Sequence, residues 1–510
     1  MGVYPPSPAD FLRRGDKVKF NSKAELLNFE GGRSYRPRPE LELFLRVASN
    51  FVREPKFYVG ADEDLEELLK AFERAIKANP EFVAKLIVYA REELFLRSLP
   101  TLGTIILANH GTYKGTGIPR KVGERVLTRP DMLTEALAMQ FALFGKPIPN
   151  SLKKALRSAI THFDSYQLAK YRCDRCQVKL KDVILLTHPK PRDKAQEGDF
   201  RALIEGKLKN TRTWEAKVST EGSTRETWEE ILDEFIRYKQ VFALLRNLRN
   251  LIEHEVDGEK FRKAMKILAD PKEMRRAKVY PYRYLTAYFT LKRMKVDSAT
   301  QAEMRNVAIK VLREALEKST AMLPDFKGRN LVLVDVSGSM DFPVSRRSAV
   351  TRMMISAFYS AIVAKKYETA IAAFASDYRW IPAGESIFET AENVLRSNVG
   401  YATYAYKPMA EVLRKREHFD RVFVLTDMVV YSEDYGDDAF QRTVRRYRKT
   451  VNPEMRLITW DLAGYGQVYL EEHDVRNVYI GGFTEKVFDL VKHLEKGNRI
   501  VEVINERVSI

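Results

Sequence analysis

Between residues 40 and 325, apolar side chains recur at three- and four-residue intervals, and short Gly- or Pro-bearing breaks interrupt them. From Ile231 onward, Phe235, Tyr238, Phe242, Leu245, Leu248 and Ile252 fall on one such stripe, which predicts a single long helix. Asp131–Phe144 repeats the spacing through Leu133, Leu137, Phe141 and Phe144, and Asp131 follows Pro130 as a helix start does. Breaks fall at Gly145-Lys146-Pro147, His188-Pro189, Asp257-Gly258 and Asp270-Pro271. No repeat of fixed length is visible. Paired amphipathic helices with short breaks nevertheless predict an α-solenoid, because each pair can bury its stripe only against the next.

After Gly328 the period changes. Leu331–Asp335 is a short apolar run rich in β-branched residues, followed by a polar turn and a helix from Arg347 to Lys366. Further short runs stand at Thr369–Phe374, Arg421–Thr426, Arg456–Trp460 and Val478–Ile480, with helical stretches between most of them. Strands alternating with helices predict a doubly wound, mostly parallel sheet. The expected fold class is therefore multidomain, α followed by α/β. The boundary is placed at Phe326-Lys327-Gly328, giving a helical domain over 1–326 and an α/β domain over 327–510, with residues 1–20 read as a flexible arm.

Composition narrows the class. The chain has 510 residues, 45% of them hydrophobic and 30% charged, as expected of a globular protein with more than one core. No apolar run approaches the roughly 18 residues that a membrane helix needs. The first residues, MGVYPPSPAD, lack the pattern of a secretory signal, so the expectation is a cytoplasmic protein without membrane contact. The net charge of +17 is unevenly placed. Residues 1–326 hold 60 Lys and Arg against 44 Asp and Glu, whereas 327–510 hold 26 against 25. An excess of +16 on the helical part calls for a polyanionic partner more than for solubility.

Candidate chemistry in the second domain starts where its first strand ends, at Asp335-Val336-Ser337-Gly338-Ser339-Met340. Ligands of open parallel sheets bind at that edge. One carboxylate and two hydroxyls offered to a single point are hard oxygen donors that suit Mg²⁺. Thr403, before the helix holding Pro408, and Asp427, at the end of 421–426, are the candidates to complete the shell. A hydrolase fits poorly. Two-metal chemistry needs clustered carboxylates, of which only Asp335 and Asp427 stand at the expected edges, and no His lies near Ser337 in sequence. The arrangement resembles the metal-ion-dependent adhesion site of von Willebrand factor A domains, which implies a Rossmann-like fold and a non-catalytic metal. The metal would keep one position open for a carboxylate or similar anion.

In the helical part the densest basic segment runs from Lys153 to Lys194, with His162, Tyr166, Tyr171 and His188 interleaved. Cations neutralise phosphates and flat side chains stack on unpaired bases, which points to RNA with single-stranded parts. Cys173-Asp174-Arg175-Cys176 is a lone CxxC, read as two reduced thiols rather than a zinc site.

Four strings together resemble the TROVE module of the Ro autoantigen family. They are Phe29-Glu30-Gly31-Gly32; Leu168–Tyr171 leading to Leu185–His188; Ala243–Asn250; and Lys278–Tyr288. Their order spans residues 20–320, and an A-type domain follows as that family requires. The resemblance implies a closed ring of HEAT-like repeats that acts as a monomer. It also implies binding of Y-type noncoding RNA on a basic rim and of single-stranded 3′ ends of misfolded RNAs in the hole. Matching positions imply RNA contacts at Lys170, Arg175 and His188, with Arg172 adjoining. Because the Cys173–Gln177 stretch differs in length from relatives, Arg172 and Arg175 stay alternatives. Bacterial members are associated with 3′-to-5′ exoribonucleases, which implies an RNA-presenting adaptor without catalysis of its own. The rival expectation is a protein scaffold that grips an acidic partner through the A-domain metal.

Overall fold

The computed structural model describes residues 25–49, 56, 58–171, 176–208, 214–345, 348, 350–432, 438–482, 486–494 and 499–510. By contact the chain forms two compact units that are not contiguous in sequence. One holds residues 1–68 and 232–500; the other holds 69–231 and 501–510.

The first unit is built round a six-stranded sheet. Its strands are β3 (Asn330–Asp335), β4 (Thr369–Phe374), β5 (Tyr378–Ile381), β6 (Arg421–Thr426), β7 (Arg456–Asp461) and β8 (Asn477–Gly481), in the order β5-β4-β3-β6-β7-β8. All pairs are parallel except β4 with β5. β3 and β6 are buried along their whole length, which is why they read as unbroken apolar runs. The chain winds from β3 towards β5 and then from β6 towards β8, so the order reverses between neighbours β3 and β6. A crevice at such a switch point is where doubly wound sheets bind ligands. The helix after β3 begins at Arg352, five residues later than expected, with the Thr351 side chain accepting from the Met354 amide as its cap.

Helices of the same unit cover the sheet domain. Pro281–Lys292 lays Tyr288 against Phe388 (4.4 Å between ring centroids) and Phe289 edge-on to Phe358 (5.3 Å). The expected long helix from Ile231 is instead two, Arg225–Arg237 and Val241–Glu253. They break at Lys239, which has φ +49°. The break turns Tyr238 and Phe242 outward, 59% and 48% exposed, while Phe235, Leu245, Leu248 and Ile252 stay buried. At the other end of the chain, β1 (Glu25–Leu27) and β2 (Arg33–Tyr35) form a hairpin. Tyr35 then bridges to Val468, exchanging both backbone hydrogen bonds.

The second unit is helical. Helix Pro130–Leu143 starts at the expected proline and buries Leu133 and Leu137, but leaves Phe144 42% exposed. Helices Ile118–Val126 and Asn150–Ile160 approach closely at two small residues: a Cβ on Gly123 would stand 2.6 Å from the Ala155 Cβ. The C-terminal residues return to this unit, where the Ser509 carbonyl accepts from Arg125. No helix among the described residues is long and apolar enough to cross a membrane. Gly123→Val must push those helices apart, and overpacking of this kind costs about 1–3 kcal/mol. A urea titration should show a lower midpoint with the secondary structure retained.

Candidate functional site

The five residues expected to hold a metal come together at the switch point. Asp335 ends β3, Ser337 and Ser339 follow in a tight 3-10 turn over Gly338–Asp341, and Asp427 comes one residue after β6. Thr403 enters from the loop before helix Tyr406–Lys415. All five are at most 4% exposed. Asp335 is fixed from both sides: its Oδ1 accepts from the Ser337 amide at 2.9 Å and its Oδ2 from the Thr426 hydroxyl at 2.6 Å. The Ser337 and Ser339 hydroxyls lie 3.3 Å apart. The three loops are tied by backbone hydrogen bonds, Gly338 N–H to the Tyr401 carbonyl and Tyr431 N–H to the Thr403 carbonyl. Ser376, a residue that sequence reading passes over, anchors the Thr403 loop by accepting from the amides of Tyr401 and Ala402.

Electrostatically the site lacks positive charge. Burial, and then the neighbouring Asp427, pushes the Asp335 carboxyl up to about 7. Burial also raises Asp427, against the pull of Ser339, Arg352 and the Val429 amide. Its Oδ1 accepts from Val429 N–H, whereas its Oδ2 is buried without a hydrogen-bond partner. An orphaned, buried carboxylate oxygen is costly unless something pairs it. The donor set is oxygen only, two carboxylates and three hydroxyls, and fits a hard divalent cation such as Mg²⁺. Among the described residues no group of three or more His, Cys, Asp and Glu stands ready for a metal, so hydroxyls must supply much of the shell.

Two corrections follow. Asp461, at the end of β7, shares this edge and is fully buried, so the carboxylates there are not only Asp335 and Asp427. Its Oδ1 accepts from the amides of Ala463 and Gly464, its Oδ2 has no partner, and burial raises its carboxyl to about 6. Cys176 is disulfide-bonded and not a reduced thiol.

Of the expected RNA contacts, Lys170 and His188 lie within the described residues, while Arg172 and Arg175 lie outside them. Lys170 ends helix Ser165–Lys170, with its ammonium 3.1 Å from Glu215 and 5.8 Å from the ring centroids of both Tyr166 and Tyr171. Burial works against its charge, but Glu215 and the two tyrosines more than offset it and raise its pKa. His188 caps helix Leu180–Thr187 in the left-handed region, φ +49°, and is exposed beside the outward-facing Leu185 and Leu186. Charge counting also missed a cavity of about 870 Å³ in the α/β part, lined by Arg414, Arg416, Arg442 and Arg446.

The sign of the pH dependence follows from Asp335. Its value in the folded chain lies above the ordinary 3.8, so folding favours its neutral form. With metal chelated, stability contributed by that form is present at low pH and drains away as the pH rises from 3.8 to about 7. Mg²⁺ should therefore raise the melting temperature more at pH 8 than at pH 5. Asp427→Asn should abolish that rise, as differential scanning fluorimetry in EDTA and in Mg²⁺ will show.

Known proteins resemble the chain in the same two parts. The family model described as the TROVE domain matches residues 200–379, and the Ro60 vWA domain model matches residues 329–494. Lys170 and His188 precede both spans. A crystal structure of the Deinococcus radiodurans RO (RSR) protein superposes with a TM-score of 0.64 at 17% identity, over 90% of this chain and 99% of that one. Telomerase protein component 1 of Rattus norvegicus is 30% identical over 97 residues, and that of Mus musculus 28%. Those matches take in 19% of this chain but 4% of the relatives' length. The structural likeness carries the fold, and the two domain models in series carry the assignment: the chain belongs to the Ro (TROVE) family of RNA-binding proteins.

Proposed function

We propose that this chain is a non-catalytic carrier of noncoding RNA that works in the cytoplasm as a monomer. In this reading it binds Y-type small RNAs through its basic helical surface and the single-stranded 3′ ends of misfolded or structured RNAs. It hands such RNAs on in quality control or degradation, with a 3′-to-5′ exoribonuclease as protein partner. The observation that carries the reading is the TROVE domain followed by a Ro60-type A domain in one chain. The charge excess on the helical part supports it, because phosphate neutralisation supplies most sequence-independent affinity.

Lys170 suits the task in a specific way. Its ammonium already lies by two tyrosine rings, so a phosphate there would find a cation and a base two flat partners. Glu215 holds that cation in the RNA-free chain and must be displaced. The metal belongs to the proposal as well: Asp335, Ser337, Ser339, Thr403 and Asp427 would hold Mg²⁺, whose charge compensates the buried carboxylates. No step of chemistry is assigned to it.

A gel shift at two salt concentrations, with a stem bearing a single-stranded 3′ tail and the same stem made blunt, tests the reading. Tight binding that needs the tail and weakens with salt is expected. Lys170→Ala with His188→Ser should cost about 1–3 kcal/mol of that binding, roughly tenfold or more, with the melting temperature unchanged. Glu215→Gln should strengthen it by freeing the ammonium. Equal, weak binding of both RNAs would instead favour a scaffold that takes an acidic protein partner at the A-domain metal.

A further inference from the structure

The turn Asn28–Gly32 lies against the Asp427 loop, although some 400 residues separate them. The Asn28 amide group donates to the Val430 carbonyl at 2.7 Å, while its own oxygen accepts from the amides of Glu30 and Gly32. The approach is close enough to demand glycine: a Cβ on Gly32 would stand 2.3 Å from the Val430 carbonyl oxygen. Phe29 stacks on Tyr58 (5.0 Å, 4° between planes), meets Tyr465 edge-on, and covers Val429 and Ala463. This clamp leaves Glu30 little freedom. The Tyr58 hydroxyl donates to its carboxylate, and among the described residues no Lys or Arg pairs with it.

Glu30 is thus an anion held beside other anions. Burial raises its carboxyl, and so does the charge of Asp427, which reaches it directly. The same two charges act on the Tyr58 hydroxyl and push its pKa far up. Carboxylates brought together in a desolvated place need a proton or a cation between them. The structure offers a third fact: the Asp427 oxygen that lacks a donor belongs to this same loop.

We propose that Glu30 is the anionic ligand that closes the metal site from within the chain. The cation proposed between Asp335 and Asp427 then has its open position filled in cis. It fastens the N-terminal turn to the A-type domain, and the site does not stand empty for an acidic partner. This inference rests on the metal reading above and adds the residue that completes it. It also gives a physical reason for the Glu-Gly-Gly string: the carboxylate reaches the metal, and Gly32 lets the turn come down onto Val430.

Titration calorimetry of the full chain with Mn²⁺, as a probe for the site, separates the two readings. Asp427→Asn should abolish binding. Glu30→Gln keeps the size of the side chain and an acceptor for Tyr58, yet should weaken Mn²⁺ by about 10- to 100-fold, the scale for groups that tune metal sites. Acetate at millimolar concentration should restore much of the loss in Glu30→Gln and leave the parent chain unaffected. Glu30→Asp, which keeps the charge, serves if the Gln variant does not fold, and should show a smaller loss. Unchanged affinity in the Glu30 variants, with Asp427→Asn dead, overturns the in-cis ligand and spares the metal. Binding that survives Asp427→Asn overturns both.

Discussion

Two carboxylates buried side by side at the reversal point of a parallel sheet are the constraint on which the rest of the α/β unit depends. Neither Asp335 nor Asp427 reaches water, and desolvation pushes both towards the neutral form. The chain surrounds them with amides and hydroxyls from three loops, and this orients the oxygens without neutralising them. A hard cation at that point removes the conflict between burial and charge. The loops are cross-tied backbone to backbone, so the ligands are pre-placed and little rearrangement is left for binding to drive.

The same edge gathers distant parts of the sequence. Arg46 donates to the Tyr465 carbonyl, Ser49 to that of Asp461, and Lys56 to that of Gly464. Lys56 also forms a buried ion pair with Asp64 at 2.6 Å. Burial lowers the Lys56 pKa to about 8 even against that partner, which marks how dry the contact is. The first 68 residues therefore fall into one compact unit with the sheet, and a boundary drawn along the sequence does not describe the packing. In an RNA-binding family, this puts a metal-dependent junction where the N-terminal segment meets the A-type domain.

Much of this was legible beforehand. Thr369–Phe374 and Arg421–Thr426 have the ends expected of them, because strands buried on both faces write their length directly as apolar runs. The metal shell was legible because its residues sit at strand ends, where position follows from fold class. What was missed has physical causes. β5 has four residues on an edge, too short to show a period. The helix break at Lys239 carries neither Gly nor Pro, so the backbone turns left-handed at a residue that gives no sign of it. Asp461 lacks the following serines that advertise Asp335. The arginines of the α/β cavity come from two helices and disappear in a near-neutral total. Glu30 was quoted for its string and not for its place, since no local pattern reveals a contact across 400 residues.

The most direct test of the central claim is anomalous scattering from crystals of the chain grown with Mn²⁺. A single peak bounded by Asp335, Ser337, Ser339, Thr403 and Asp427 is the predicted result. Arg352 supplies the contrary possibility, since its Nη1 is buried without a partner and its charge already reaches Asp427. No peak there, with that guanidinium turned onto the free Asp427 oxygen as a direct ion pair, would contradict the account.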